Sequence, residues 1–159
     1  MKIRLLCVGD VRGPLRTAIE EFEARVGRYW RFDVVEVQAG IGKGRKGDGA
    51  KVRDAEGERL LTHLAKDAGE VVSLTRGGKA ISSRGLADYL AEKALRSAPQ
   101  VTFVIGGAFG LGESVVARSD LRVSLSGMTL PHEIARLFLT EQLYRAGTIL
   151  RNEPYHKGP

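Results

Sequence analysis

The segment Val101-Thr102-Phe103-Val104-Ile105, closed by Gly106-Gly107, is apolar almost without interruption. A strand with one face in water alternates apolar and polar residues; a run like this one is covered on both faces. That requirement commits the chain to helices above and below a sheet, and the rest of the sequence supplies them. Residues 2–8 read as a first strand ending at Gly9. Gly13-Pro14 opens a helix, because Pro is preset for the first helical position, and Leu15, Ile19, Phe22 and Val26 recur at helical spacing. Phe32 to Val37 is a β-branched strand, followed by a Gly/Lys/Arg loop over 38–49 and a helix with Val52, Leu60, Leu61 and Leu64 inward. Val71 to Thr75 is a third strand, closed by Gly77-Gly78. Ser82 or Ser83 caps the next helix, which carries Leu86, Leu90 and Ala94. After the 101–105 strand come a short helix near 112–118, a fifth strand from Leu121 to Leu125, and a final helix over about 131–147. Strands alternating with helices predict an α/β fold: a mostly parallel sheet with helices on both faces, formed by residues 1–159 as one domain.

Composition bounds the function classes. The apolar share of 43% and charged share of 28% suit a protein that lives in water. No apolar run approaches the roughly 20 residues of a membrane span, so no membrane partner and a cytoplasmic location are expected. The start, Met1 to Val8, reads as a strand rather than a signal segment, since Gly9-Asp10-Val11-Arg12 cuts its apolar run short. The single Cys7 lies in that strand, as a buried and inert thiol of a reducing compartment would. One Cys and three scattered His, with His63 on a polar helix surface, offer no metal-ligand spacing, so no metal is expected. A formal charge of +6 suits a polyanion partner.

In such sheets ligands bind beyond the carboxyl ends of the strands. Three loops sit there: after Leu74, at Gly106-Gly107, and from Ser126 to Pro131. Glycines in the run Gly106-Gly107-Ala108-Phe109-Gly110-Leu111-Gly112 let a ligand approach the backbone, or simply make a tight turn. Gly42-Lys43-Gly44-Arg45-Lys46-Gly47 matches G-x-G-x-x-G between a strand and a helix. A dinucleotide reading fails on context, because the next strand ends Ser73-Leu74-Thr75 without the acid that holds a ribose. The loop is then either a set of phosphate contacts for nucleic acid through Lys43, Arg45 and Lys46, or a solvated turn.

The reactive side chains gather near the end. The 131–147 helix is apolar nearly all round, with Ile134, Leu137 and Phe138 on one side and Ala135, Leu139, Leu143 and Ala146 on another. So much apolar surface predicts a homodimer through this helix, with Leu139 and Leu143 at the contact. Glu141 and Arg145 form an i,i+4 pair, either purely structural or with Arg145 facing a site. Beyond the helix, Tyr155-His156-Lys157 places a titratable ring between an aromatic and a cation. Pro154 and Gly158 suggest a tail that is mobile until a substrate orders it.

Taken together, the chain resembles the SPOUT methyltransferases and, within them, the ribosomal RNA large subunit methyltransferase H family. The resemblance spans the whole length. It rests on Val8-Gly9, Val72-Ser73-Leu74, Ile105-Gly106-Gly107, Leu125 to His132, Glu141-Gln142-Leu143-Tyr144-Arg145-Ala146 and the terminal Tyr155-His156-Lys157. The last three, in this order and at these distances, are specific as a set. The resemblance implies a SPOUT-type α/β-knot with a C-terminal trefoil, a homodimer, and S-adenosylmethionine as methyl donor. It implies methylation of N3 of a pseudouridine in 23S ribosomal RNA on the assembled ribosome. By position it assigns the cofactor to Leu74, Gly106, Gly107, Leu125, Ser126, Gly127, Met128, Thr129 and Leu130. It assigns the substrate end to Tyr155, His156 and Lys157.

The side chains suit that chemistry: a neutral His156 can take the imide proton or only position the RNA, Lys157 or Arg145 can stabilise the oxyanion, and Tyr155 can stack on the base. Lys157 stands where Arg also occurs in relatives, and a Lys cannot make a bidentate fork. Phe109 stands where relatives often carry a polar residue. A non-enzymatic RNA- or ribosome-binding module is the rival reading; it accounts for the charge and the basic loop but not for the glycine turn paired with the Leu125–Leu130 loop.

Overall fold

The computed structural model describes residues 1–42, 48–65, 68–96 and 100–158. Its elements run β1 (Lys2–Val8), α1 (Leu15–Val26), β2 (Arg31–Val37), α2 (Gly49–Leu64), β3 (Glu70–Ala80), α3 (Ser83–Leu95), β4 (Gln100–Ile105), α4 (Glu113–Ala117), β5 (Leu121–Ser124) and α5 (His132–Leu150). The five strands form one sheet in the order β2-β1-β4-β3-β5, and every pairing is parallel. Parallel neighbours need a crossover, and the helices that provide it cover both faces. On one face Ile3, Leu5, Cys7, Val101, Phe103 and Ile105 pack with residues of α1, α3 and α5. On the other, Leu6, Val8 and Val104 pack with Leu60 and Leu64 of α2 and Val115 of α4. All six residues of β4 are buried, as its apolar run requires.

The third strand does not close at Gly77-Gly78 but continues to Ala80. Its pairing with β5 shifts register between Leu74 and Lys79, so the glycines lie inside an irregularity of the ladder. Gly78 passes so close to β5 that an added Cβ would stand 2.6 Å from the Val123 carbonyl carbon. The final helix likewise runs three residues past the expected 147, to Leu150.

Helix α5 lies between α1 and α3. Leu139 and Leu143 are 1% and 0% exposed within this one chain, packed with Ala135 and Ala146 in the core under α5. They belong to the subunit's own core and not to a contact between subunits, because the sheet already supplies their cover. The apolar residues that α5 leaves over are on its other side: Phe138 is 41% exposed, and Ile134 and Leu137 are half-buried.

One charge is buried in the same layer. Arg136 reaches Glu23 at 2.7 Å and Glu36 at 2.5 Å, which ties α5 to α1 and β2. Its Nη1 also lies 3.6 Å from the Cys7 sulfur. Burial pushes the Cys7 thiol up to about 11, partly offset by the Arg136 charge, so the thiol stays protonated and unreactive near neutrality. Among the described residues no helix is long and apolar enough to cross a membrane.

Because Leu143 is fully enclosed, Leu143→Ala should cost about 2–5 kcal/mol of stability in urea titration. Sedimentation of its folded fraction should show the wild-type oligomeric state, since the residue touches its own core alone.

Candidate active site

The middle of β3, around Leu74 to Arg76, and the carboxyl ends of β4 and β5 open onto a cavity of about 420 Å³. Leu74 and Arg76 of β3 form one wall, Ile105 and the 106–111 loop a second, and Leu125, Ser126 and Met128 to Leu130 a third. His132 and Ala135, from the first turn of α5, close the base. The size falls in the range of small-molecule sites.

Much of this cavity is walled by main chain. A Cβ on Gly106 would stand 2.6 Å from the Gly110 carbonyl carbon, so no side chain fits there. The Gly110 N–H donates to the Gly107 carbonyl at 3.0 Å, and Gly110 has φ +75°, a conformation that favours glycine. A Cβ on Gly107 would stand 2.6 Å from Oε2 of Glu56, which approaches from α2 behind the turn. The Gly40 N–H donates to Oε1 of Glu56 at 2.8 Å, whereas Oε2 has no hydrogen-bond partner. In the third wall the Ser126 hydroxyl accepts from the Met128 N–H at 3.0 Å, and the Ser124 hydroxyl donates to the Ser126 carbonyl at 2.9 Å. Arg76 donates to the Thr129 hydroxyl at 3.2 Å and joins the first wall to the third.

Of the nine residues that the resemblance assigns to a cofactor, eight line this cavity; Gly127 is exposed at the tip of its loop. Met128 is 78% exposed, so in this chain alone Leu125 and Leu130 are the half-buried apolar surfaces available to a flat ring. Arg76, His132 and Glu56 are additions. The first two could have been found from the carboxyl-end rule, since they directly follow the strand core and Pro131. Glu56 gave no signal: in Asp54-Ala55-Glu56-Gly57-Glu58-Arg59 it reads as one more residue of a solvated face.

The tail is folded back on α5 rather than loose. Tyr155 donates to Glu141 Oε1 at 3.1 Å, its ring meets Tyr144 edge-on at 4.7 Å, and the Arg145 guanidinium lies 4.8 Å above it. Tyr29 also hydrogen-bonds Glu153. Arg145 pairs with Glu141 and has Nη1 3.5 Å from Nδ1 of His156. A guanidinium only donates, so Nδ1 is on the accepting side of that contact. Both readings of Arg145 therefore hold at once: it is a structural ion pair and it faces the tail. Lys157 is exposed.

The cofactor-wall residues and the tail residues occupy different cavities. His156 lines a second one of about 370 Å³ with Ser83, Arg84, Phe138 and Gln142; Leu125 borders both. The basic-loop residues Lys43, Arg45 and Lys46 lie outside the described residues.

Fold and cavity define a doubly covered parallel α/β protein with a cavity of small-molecule size beside the carboxyl ends of β4 and β5. Residues 1–156 match the family described as "Predicted SPOUT methyltransferase". The ribosomal RNA large subunit methyltransferase H of Gemmatimonas aurantiaca is 47% identical over 99% of this chain and 100% of its own length. That of Syntrophotalea carbinolica is 46% identical over 98% of this chain and 99% of its own. A solved methyltransferase structure from Legionella pneumophila, in complex with the bound cofactor SAM, superposes with a TM-score of 0.50 at 13% identity, covering 92% of this chain and 66% of that one, which speaks to the fold alone. The chain belongs to the SPOUT methyltransferase family and, within it, to the ribosomal RNA large subunit methyltransferase H group.

The Tyr155 hydroxyl is held above its ordinary range by burial first and then by its bond to Glu141. Glu141→Gln removes the second cause and leaves Arg145 unpaired beside the ring. The ionisation of Tyr155, isolated by difference against Tyr155→Phe in a spectrophotometric titration, should then move down.

Proposed function

We propose that this chain, as a single SPOUT domain over residues 1–159, uses S-adenosylmethionine to methylate large-subunit ribosomal RNA, at N3 of a pseudouridine in 23S RNA within the assembled ribosome. The observation that carries the cofactor reading is the 420 Å³ cavity at the carboxyl edge, with a glycine turn that admits no side chain and apolar walls from Leu125 and Leu130. A nucleoside ring suits such walls, with main-chain groups of the turn available to read its edge. When bound, the cofactor supplies an electrophilic methyl group. The relatives' names supply the RNA class, and the excess of cations, with Lys43, Arg45 and Lys46 in one loop, fits a phosphate partner.

The chain's own residues do the rest. Tyr155 offers a stacking face, a contact worth about 1–3 kcal/mol in single-strand recognition. The acceptor imide nitrogen becomes nucleophilic as its proton leaves, and His156 is the base within the tail once substrate replaces Arg145 at its lone-pair nitrogen Nδ1. Charge then builds on the flanking carbonyl oxygens, and Arg145 and Lys157 are the cations beside that base. The 370 Å³ cavity that holds His156 adjoins the cofactor cavity at Leu125, so reactant and base are neighbours across one side chain. The C-terminal trefoil threading and a cytoplasmic site of action belong to this reading as well. So does a homodimer through the exposed side of α5, with Phe138, Leu137 and Ile134 as the apolar patch that a second copy covers.

Three measurements test the reading. Radiolabelled S-adenosylmethionine should methylate intact ribosomes in preference to naked RNA, with mass spectrometry placing the methyl on a pseudouridine; binding of ribosomes without methyl transfer would favour the non-enzymatic rival. Deleting residues 153–159 should leave S-adenosylmethionine affinity in calorimetry within about threefold and reduce methylation at least a hundredfold, the scale of an acid–base contribution. Phe138→Lys should shift light scattering toward the monomer while far-ultraviolet dichroism stays unchanged, because that side chain is exposed in the single chain.

A further inference from the structure

Among the described residues, Glu56 is the one acidic side chain in the buried class, at 3% exposure. The contrast with Arg136 is instructive. That buried cation has two carboxylates, Glu23 and Glu36, within 2.7 Å. Glu56 has no cation among the described residues. Arg59, one turn further along α2, is directed elsewhere: its Nη1 donates to the Gln38 and Gly40 carbonyls at 2.8 and 2.6 Å. One carboxylate oxygen of Glu56 accepts from Gly40, and the other has nothing. Burying a carboxylate without a counter-charge is unfavourable.

Its place indicates the use. Both oxygens lie against Gly107, at 2.6 and 2.9 Å from where a Cβ would be, so only glycine lets the carboxylate come so near. Gly107 in turn lines the 420 Å³ cavity. The carboxylate therefore stands one backbone thickness behind the wall of that cavity. It is not itself among the lining residues, so it acts on a ligand through space rather than by a hydrogen bond. The Gly107 main chain stands between them, and a peptide layer screens a charge less than water does.

We propose that Glu56 is the counter-charge of the bound sulfonium and makes the cavity discriminate S-adenosylmethionine from S-adenosylhomocysteine. This rests on the cofactor reading above. In methyl transfer the carbon–sulfur bond breaks with its electron pair left on sulfur, while the acceptor nitrogen forms the new bond and gives up its proton. The product is thus a neutral thioether whose ammonium and carboxylate are unchanged. A fixed negative charge behind the turn favours the ligand before transfer and not the one after it, which speeds exchange of product for fresh cofactor. Glu56 is a positioning residue in this sense: it touches no reacting atom.

The test is a cycle of affinities by calorimetry, with S-adenosylmethionine and S-adenosylhomocysteine each titrated into the wild type, Glu56→Gln and Glu56→Asp. Glu56→Gln keeps the size and the acceptor for Gly40 but removes the charge. It should weaken S-adenosylmethionine about tenfold and change S-adenosylhomocysteine by less than twofold, the second ligand serving as the control for an intact cavity. Glu56→Asp keeps the charge and should keep most of the wild-type preference. Equal loss of both ligands in Glu56→Gln would mean that the residue only supports the turn or attracts the shared ammonium, and would overturn the proposal; so would no loss, or loss of the preference in Glu56→Asp. A wild type that binds neither ligand would instead remove the cofactor reading itself.

Discussion

The site depends on how α5 is seated. A helix with apolar residues on several sides is stable only where something flat and apolar receives it. The parallel sheet provides that floor through Leu5, Val101, Phe103 and Ile105, and α1 and α3 provide the flanks. Seated so, α5 carries both halves of the proposed site on one rigid rod. Its first turn puts His132 and Ala135 at the base of the 420 Å³ cavity. Its later turns hold Glu141, Arg145 and the tail that folds against them. Arg136, clamped by Glu23 and Glu36, fixes the rod against α1 and β2. A shift of α5 would move the cavity base and the tail together.

The tail shows how a chain end can be held without a core of its own. Termini fray unless tied down. Here the ties are polar and aromatic: Glu153 to Tyr29, Tyr155 to Glu141 and Tyr144, and Arg145 lying over Tyr155 and beside His156. Contacts of this kind are individually modest. They order the segment, yet they are of a size that a larger set of contacts to RNA can replace. An arrangement with His156 lodged in a protein cavity is compatible with a catalytic tail if docking and release are close in free energy.

The sheet was legible in the sequence because β1 and β4 are short, largely apolar runs closed by glycine, and because Pro14 and the Ser82 cap mark helix starts. The limits of reading are equally physical. The Gly77-Gly78 pair looked like a terminator, but glycine also permits two strands to approach within a distance no Cβ allows, and that is its use beside Val123. Leu139 and Leu143 looked like interface residues because periodicity shows which residues are apolar, not which of two surfaces will cover them. The sheet covers them, and Phe138 is left. For the site, the three segments named from the sequence do meet around one cavity, although the one after Leu74 is a continuation of β3 rather than a loop at its end. Glu56 was invisible because its burial comes from the 106–107 turn, fifty residues away in sequence, and a helix of alternating charges gives no hint of which one faces inward.

A cavity walled largely by main chain has a particular electrostatic character. Peptide groups present fixed dipoles but no net charge, so the walls at Gly106, Gly107 and Gly110 can read shape and hydrogen-bonding edges while contributing little to selectivity by charge. Among the described lining residues Arg76 is a cation and none is acidic, so any negative charge that the pocket feels must come from beyond the wall. The chain is basic overall, with a formal +6, which suits an RNA surface and disfavours a cationic cofactor. A single carboxylate set directly behind the thinnest part of the wall corrects that mismatch locally. It does so without placing an acidic group on the face that phosphates must approach. The glycine at 107 thus lets a charge come close behind the wall, where any side chain would collide with Glu56.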